Sequence, residues 1–456
     1  MESINLQIKE DRPTVGIYSL SSCGGCQLQI LNLNLDLLSL IEQVNIVYWP
    51  MTSSLDETYE VDIAIVEGAV KTDDDKKKIR DIREKASKVI ALGACACGLG
   101  KECDGGFEPI SSLIDVDYFV RCCPIDPENF IDVLQKAIGG RNTFLSTGTL
   151  CGECKNNETT CFFAKNQLCA GLVSRSGCDA ICTRLGKPCL GCSGISPNAV
   201  FETAYANARG IHQNFLDEYY DDFLATCSVA RFLNQDISDL SSKDASFVAS
   251  RSNANVSINA CLDVIEEEEA IQNVVLDDRT KAMRRSMRAA ERAQGHLSTL
   301  IFGELEKIKG FSNLEEFAIA EPNFINDALI YRSSLTRVLT TFGGRAVCPI
   351  TPKVGGFSYD VDDDEIFDVR ENLNDSIEFA KSLIDIISKV WEESNKCDHE
   401  ILARVMKKWD DLTDVARFGA AKAGLRPPVK DPKKTCVAMA VEMVDDTQRI
   451  VDWLSN

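Results

Sequence analysis

Twenty cysteines stand against three histidines in 456 residues, and their placement constrains this chain more than any other feature. Seven are spread along the front: Cys23, Cys26, Cys95, Cys97, Cys103, Cys122 and Cys123. Eight crowd a short middle stretch: Cys151, Cys154, Cys161, Cys169, Cys178, Cys182, Cys189 and Cys192. Five are isolated: Cys227, Cys261, Cys348, Cys397 and Cys436. A chain this long buries a core without disulfide staples. Its start, Met1-Glu2-Ser3-Ile4-Asn5, lacks the basic-then-apolar layout of an export signal. A cytoplasmic, reducing setting follows as the expectation, and there such thiols signal metal ligation or redox chemistry. The net charge of −21 argues against binding nucleic acid or an anionic membrane surface. No uninterrupted apolar run reaches the length of a membrane span.

The front reads as an open α/β sheet. Apolar runs at Thr14–Leu20, Val44–Trp49, Val61–Val66, Lys88–Leu92 and Asp117–Val120 alternate with helical patterns at Gln27–Gln43, Asp73–Ser87 and Pro127–Ile138. Asp126-Pro127-Glu128 has the form of a helix start, with a capping acid followed by proline. Cys23 and Cys26 follow the first strand, Glu67-Gly68 the third, Cys95 the fourth and Cys122-Cys123-Pro124 the fifth. Open α/β folds build their sites beyond the carboxyl ends of their strands, so these segments are expected to converge on one crevice.

The middle fits two four-cysteine sites, written Cys151-x2-Cys154-x6-Cys161-x7-Cys169 and Cys178-x3-Cys182-x6-Cys189-x2-Cys192. Gly152, Gly171, Gly177, Gly186, Gly191 and Gly194 surround them. Such loops let backbone N–H groups approach cluster sulfurs. Zinc also accepts four cysteines, and spacing alone does not separate structural zinc from iron–sulfur.

These residues together resemble a known family. Residues 13–195 are similar to the small subunit of [NiFe] hydrogenases, nearest the cytoplasmic type associated with coenzyme F420-reactive and heterodisulfide-reductase-linked enzymes. The likeness rests on Ser22-Cys23-Gly24-Gly25-Cys26, Val66-Glu67-Gly68, Gly93-Ala94-Cys95 and Cys123-Pro124. It rests also on Leu150-Cys151-Gly152-Glu153-Cys154, Ser174-Arg175-Ser176-Gly177-Cys178 and Pro188-Cys189-Leu190-Gly191-Cys192. The resemblance implies a flavodoxin-like first domain holding a proximal [4Fe–4S] cluster on Cys23, Cys26, Cys95 and Cys123, with Glu67 beside it. It implies two further [4Fe–4S] clusters, assigned in sequence order to Cys151, Cys154, Cys161 and Cys169, then Cys178, Cys182, Cys189 and Cys192. Cys122 replaces the family's usual glycine before the last proximal ligand. Cys97 stands two residues from Cys95, and either Cys97 or Cys122 could be a ligand instead or a small buried hydrophobe, with Cys103 a more distant candidate.

The rest reads as helical. Met283, Met287, Ala290, Leu297, Ile301, Leu305 and Ile308 recur at helical spacing before Gly310. Ile377, Ala380, Leu383, Ile384, Ile387 and Trp391 do so again, with Asp375 and Glu378 placed as a capping box. The Arg-rich stretch Lys281–Arg292 and the acidic runs Glu266–Glu269 and Asp360–Glu365 read as solvated surface. Arg288–His296, Phe342–Pro349 and Val354–Gly356 resemble, more weakly, the [NiFe] hydrogenase large subunit. That subunit's paired Cys-x-x-Cys ligands have no counterpart among the five isolated cysteines, and no terminal Asp-Pro-Cys stands before Asn456. The expectation is a degenerate large-subunit-like domain without nickel, with His296 and His399 as surface or core residues.

The expected organisation is a flavodoxin-like α/β domain over 1–145, a loop-rich iron–sulfur segment over 146–200, a helical connection over 201–250 and a mainly α-helical domain over 251–456. No nucleotide motif is complete, since Gly93-x4-Gly98 lacks a following Lys-Ser/Thr. NAD and flavin are therefore not expected in this chain. The functional expectation is a non-catalytic electron-transfer subunit of a hydrogenase-type complex. Its partners would be an electron donor or acceptor protein and a separate catalytic subunit, of [FeFe]-hydrogenase, heterodisulfide-reductase or bifurcating type. The rivals are an unorthodox self-sufficient [NiFe] hydrogenase and a zinc-stapled scaffold.

Overall fold

The computed structural model describes residues 11–52, 60–98, 107–144, 146–211, 242–305, 309–311, 313–394 and 432–455. The expectations placed on Met1–Asn5, Cys103, Cys227, Ile308, Cys397, His399 and Asn456 lie outside them. In chain order the front carries β1 (Thr14–Ser19), α1 (Gly25–Leu31), α2 (Asp36–Gln43), β2 (Asn45–Tyr48), β3 (Val61–Glu67), α3 (Asp73–Lys85), β4 (Ala86–Leu92), α4 (Gly93–Cys97), β5 (Tyr118–Val120) and α5 (Pro127–Ile138). The middle holds α6 (Cys151–Cys154) and α7 (Ile181–Arg184), followed by α8 (Phe201–Ile211) and α9 (Ser242–Ala249). The remainder comprises α10 (Ser257–Gln272), α11 (Asp278–Thr299), α12 (Leu314–Ala320), α13 (Pro322–Gly343), a hairpin of β6 (Pro352–Lys353) and β7 (Gly356–Phe357), α14 (Asp363–Ser394) and α15 (Pro432–Trp453).

Two compact units result. One takes residues 13–30 and 59–248; the other takes 1–12, 31–58 and 249–456. In the first, β1, β3, β4 and β5 pair side by side and all parallel. Their apolar runs are continuous because both faces are covered, and Ile17, Ile63, Ile65, Val66, Ile90 and Ala91 are fully buried. Register aligns Ser19 with Glu67, Glu67 with Leu92 and Leu92 with Val120. The four strands therefore end on one line, and the cysteine-bearing loops leave from a single edge.

The helices begin where their caps dictate. Thr72 and Asp75 form a reciprocal capping box at α3. Asp126 accepts from the Asn129 N–H at 2.9 Å, with Pro127 opening α5. The single helix expected over Gln27–Gln43 is instead two, α1 and α2. Asn34 adopts φ 52 between them, and its side-chain amide donates to the Asn32 carbonyl at 2.8 Å. A short polar side chain able to bond locally tolerates that left-handed turn.

The cysteine-dense segment has no named strand among its described residues. It is built from short helical turns around Leu150, Phe162, Ala170, Val173 and Ala180, with Cys169 and Cys189 inside that core.

In the second unit α11 packs on α13 and α15, and α14 packs on the same two helices. Met287, Ala290, Leu297, Leu335, Val338, Leu383, Ile387, Ala440 and Met443 fill the space between. Beyond Thr299, α11 continues as a π-helical stretch, Leu300–Leu305. Two surface expectations fail here. Arg284 is buried and grips Glu269 through both guanidinium Nη atoms at 2.7 Å, so neither the Arg-rich helix nor the acidic run is simply solvated. Arg292 reaches Asp446 through Nε at 2.6 Å. The capping box of α14 lies at Asp362 and Glu365, not at Asp375, which falls in mid-helix. His296 is buried with Nε2 3.1 Å from the Glu442 carboxylate. Among the described residues no helix is long and apolar enough to cross a membrane.

Candidate functional site

Glu67 ends β3 at the shared strand edge and is 2% exposed. Its Oε1 accepts from the Cys26 backbone N–H at 2.9 Å, while Oε2 is buried with no hydrogen-bond partner. Burial lifts the Glu67 pKa against the hydrogen bonds that favour its charge. Burial also pushes the Cys26 thiol far up, reinforced by Glu67, Cys123 and Cys23. The structure thus gathers Cys23, Cys26, Cys123 and Glu67 from three strand ends. Cys95 sits half-buried in α4, immediately beyond β4.

Gly93 opens α4 with φ 83, and a Cβ there would lie 2.4 Å from Cys26 Sγ. A side chain at Gly93 is excluded on both counts. Asp75 steadies the adjoining loop by accepting from Ser21 Oγ at 2.8 Å, the Thr72 N–H at 2.9 Å and the Lys71 N–H at 3.1 Å.

The rival thiols separate clearly. Cys97 turns back into the sheet, its Sγ 3.4 Å from the carbonyls of Ala91 and Val120, and burial lifts its pKa to about 12. Cys122 points the other way: its Sγ lies 3.2 Å from Ser193 Oγ and hydrogen-bonds Cys178 and Cys192. Cys123 is therefore the thiol of the pair that faces Cys26.

The eight middle thiols form two neighbouring sets. Cys151 is pushed up by burial and then by Cys154 and Cys161. Cys169 rises to about 11, mainly by burial, with Cys151 and Cys154 adding to it. Cys189 rises far by burial and then by Cys169, Cys182 and Cys192. The sets interlock: the Cys189 N–H donates to Cys169 Sγ at 3.2 Å, and the Gly177 N–H to Glu153 Oε1 at 2.6 Å. Of these cysteines, Cys161 is exposed while Cys169 and Cys189 are buried.

Three contributors are not cysteines. The Gly191 N–H donates to Cys189 Sγ at 3.3 Å. Arg121 and Arg175 lie close enough to oppose each other's charge, and each has a buried Nε without a partner. Arg175 lies within the Ser174–Cys178 stretch named above, whereas Arg121 could have been marked only by its place beside Cys122. Among the described residues no three His, Cys, Asp or Glu side chains are grouped so as to hold one metal ion.

The donor set fits iron–sulfur clusters. Soft thiolates supply cluster ligation, and backbone N–H groups aimed at sulfur tune the potential. Burial without a cation drives Cys26 and Cys189 toward the neutral thiol, which is the penalty that bound iron removes. The close arginines offer positive charge to an anionic cluster.

Residues 23–137 match the family described as NADH ubiquinone oxidoreductase, 20 Kd subunit. Sulfhydrogenase 2 subunit delta of Pyrococcus furiosus is 31% identical over 204 residues, covering 40% of this chain and 86% of that protein. A vhu subunit of the F420-non-reducing hydrogenase of Methanococcus voltae is 28% identical over 237 residues, 40% of this chain and 83% of that one. Its namesake in Methanocaldococcus jannaschii is 29% identical over 253 residues, 44% and 87% respectively.

Proposed function

The chain belongs, through its sheet-bearing front, to the NADH ubiquinone oxidoreductase 20 Kd subunit family, and from that premise we propose that it is the iron–sulfur electron-transfer subunit of a hydrogenase-type complex. One observation supports the reading: the thiols of the strand ends and those of the cysteine-dense loops belong to the same compact unit. Cys23, Cys26, Cys95 and Cys123 would hold the first cluster. Cys151, Cys154, Cys161 and Cys169 would hold a second, and Cys178, Cys182, Cys189 and Cys192 a third. When bound, such clusters supply one-electron carriage without acid–base chemistry.

The protein's own residues then do three things. Burial of Cys26, Cys169 and Cys189 excludes water from the sulfurs. The N–H groups of Cys189 and Gly191 stabilise negative charge on Cys169 and Cys189. Glu67 orients the Cys26 backbone and keeps a carboxyl at the edge of the first site. No residue in this account acts as a nucleophile.

The helical unit we read as a degenerate large-subunit-like domain that binds no nickel. Supporting this, Cys261, Cys348 and Cys436 are each buried and far apart in sequence, and Cys348 Sγ donates to the Ser250 carbonyl at 3.4 Å. A separate catalytic redox subunit, in a cytoplasmic complex, would then be required.

Metal and acid-labile sulfide analysis of the anaerobically purified full chain tests all of this. The expected result is about twelve iron and twelve sulfide per chain, with no nickel. Zinc without sulfide would establish the scaffold reading instead, and stoichiometric nickel the self-sufficient hydrogenase.

A further inference from the structure

The two four-cysteine loops are interleaved, not laid end to end. On one edge, residues 173–176 pair with residues 148–150: the Leu150 N–H donates to the Ser174 carbonyl at 2.9 Å, and the Ser176 N–H to the Gly148 carbonyl at 3.1 Å. On the other edge they pair with residues 194–196: the Arg175 N–H donates to the Gly194 carbonyl and the Ser196 N–H to the Val173 carbonyl, each at 2.8 Å. Two further contacts close the loops on each other. The Cys189 N–H donates to Cys169 Sγ at 3.2 Å, and the Ala170 N–H returns a bond to the Cys189 carbonyl at 2.9 Å. At the far end the backbone pairing stops at Ser176, and a side chain continues it: Glu153 Oε1 accepts from the Gly177 N–H at 2.6 Å. Glu153 stands between Cys151 and Cys154, and Gly177 stands directly before Cys178. The other Glu153 oxygen, Oε2, is buried, and no described residue donates to it. The bond to Gly177 is thus what holds this carboxylate.

We propose that Glu153 is a positioning residue that latches the two four-cysteine loops together, so that the clusters they hold are assembled and lost as one unit. This rests on the reading that each set of four cysteines ligates a cluster. Filling one site fixes the loop that carries its four thiolates. Through the Glu153–Gly177 bond, that fixed loop also restrains the turn that presents Cys178. The second site then has less freedom left to lose, and binding at one site favours binding at the other. The reverse holds on loss, because an emptied loop releases its neighbour. What the latch needs at position 153 is an acceptor oxygen that reaches Gly177. A glutamine carbonyl supplies one, whereas alanine does not.

The test compares the anaerobically purified full-length chain with Glu153→Ala and Glu153→Gln. An iron chelator is added, and the EPR signal of each reduced cluster is followed as iron leaves. In the wild-type chain the two clusters of the middle segment should decay with one rate constant, releasing about eight iron per chain in a single phase. The first-site cluster should decay separately. In Glu153→Ala the shared phase should split in two, its faster part running several-fold ahead of wild type, with the first-site rate unchanged. Glu153→Gln should restore the single phase. Separate rate constants for the two middle clusters in the wild-type chain would overturn the proposal, whether or not either variant folds. So would a first-site signal that decays together with them, since the coupling would then belong to the whole unit. An unsplit phase in Glu153→Ala, or a split one in Glu153→Gln, would remove the acceptor role from position 153. A wild-type chain without iron and sulfide would instead overturn the cluster reading itself, before any rate is compared.

Discussion

At the scale of single residues, two positions make sharp demands. Gly93 has no room for a methyl group, since Cys26 Sγ occupies that space at 2.4 Å and the backbone is left-handed. Gly93→Ala should therefore displace Cys26 and remove about four iron per chain, the content of one cluster. Circular dichroism should show the sheet retained. The second is Glu291, whose carboxylate accepts from the N–H groups of Ile258 at 2.7 Å and Asn259 at 3.0 Å, at the start of α10. Burial pushes its pKa up to about 7 despite these bonds and the nearby Arg288. The folded form holds a proton more tightly than the unfolded chain does. Its contribution is thus complete below about pH 4.5 and is lost as pH rises through 7. That span is worth about 3 kcal/mol. Thermal melts followed by helical ellipticity should show the decline between those limits, and Glu291→Gln should flatten it.

At the scale of elements, caps and buried pairs decide where helices stand. Asp75 joins the capping box of α3 to Ser21, two residues before Cys23. Asp75→Ala should cost about 1–2 kcal/mol, read as a lower denaturation midpoint of the sheet-bearing unit. It should also speed the loss of iron to a chelator. Much of this level was visible beforehand. Continuous apolar runs announced the parallel strands, and Asp126-Pro127 announced α5 to the residue. Asn34 was hidden because a helical pattern of leucines runs straight across it, and only its local hydrogen bond turns the chain. Arg284 and Glu269 were misread because each looks solvated in its own segment. Their pairing across two helices is a tertiary fact that no local window contains. The direction of the Cys122 side chain was likewise invisible, since it is set by one backbone dihedral.

At the scale of the whole molecule, the proposed ligands and the buried ion pair fall in different units. Every one of the twelve assigned ligands lies in the unit formed by residues 13–30 and 59–248. The buried Arg284–Glu269 pair, also bonded to the Gly355 N–H and the Lys353 carbonyl, lies in the other. Glu269→Ala strands a buried guanidinium and should cost about 3–5 kcal/mol. The first thermal transition should fall by several degrees while iron and sulfide per chain stay at the wild-type count.

The second unit is also stitched from distant parts, since residues 31–58 group with residues 249–456. During synthesis, α2 and β2 emerge early and then wait for partners that the ribosome makes about two hundred residues later. All twelve thiols precede residue 249 in the chain, so they are made before those partners. Iron delivery would thus have a window before residues 249–456 exist, and a chain cut short after α8 would carry its thiols without the partners of residues 31–58.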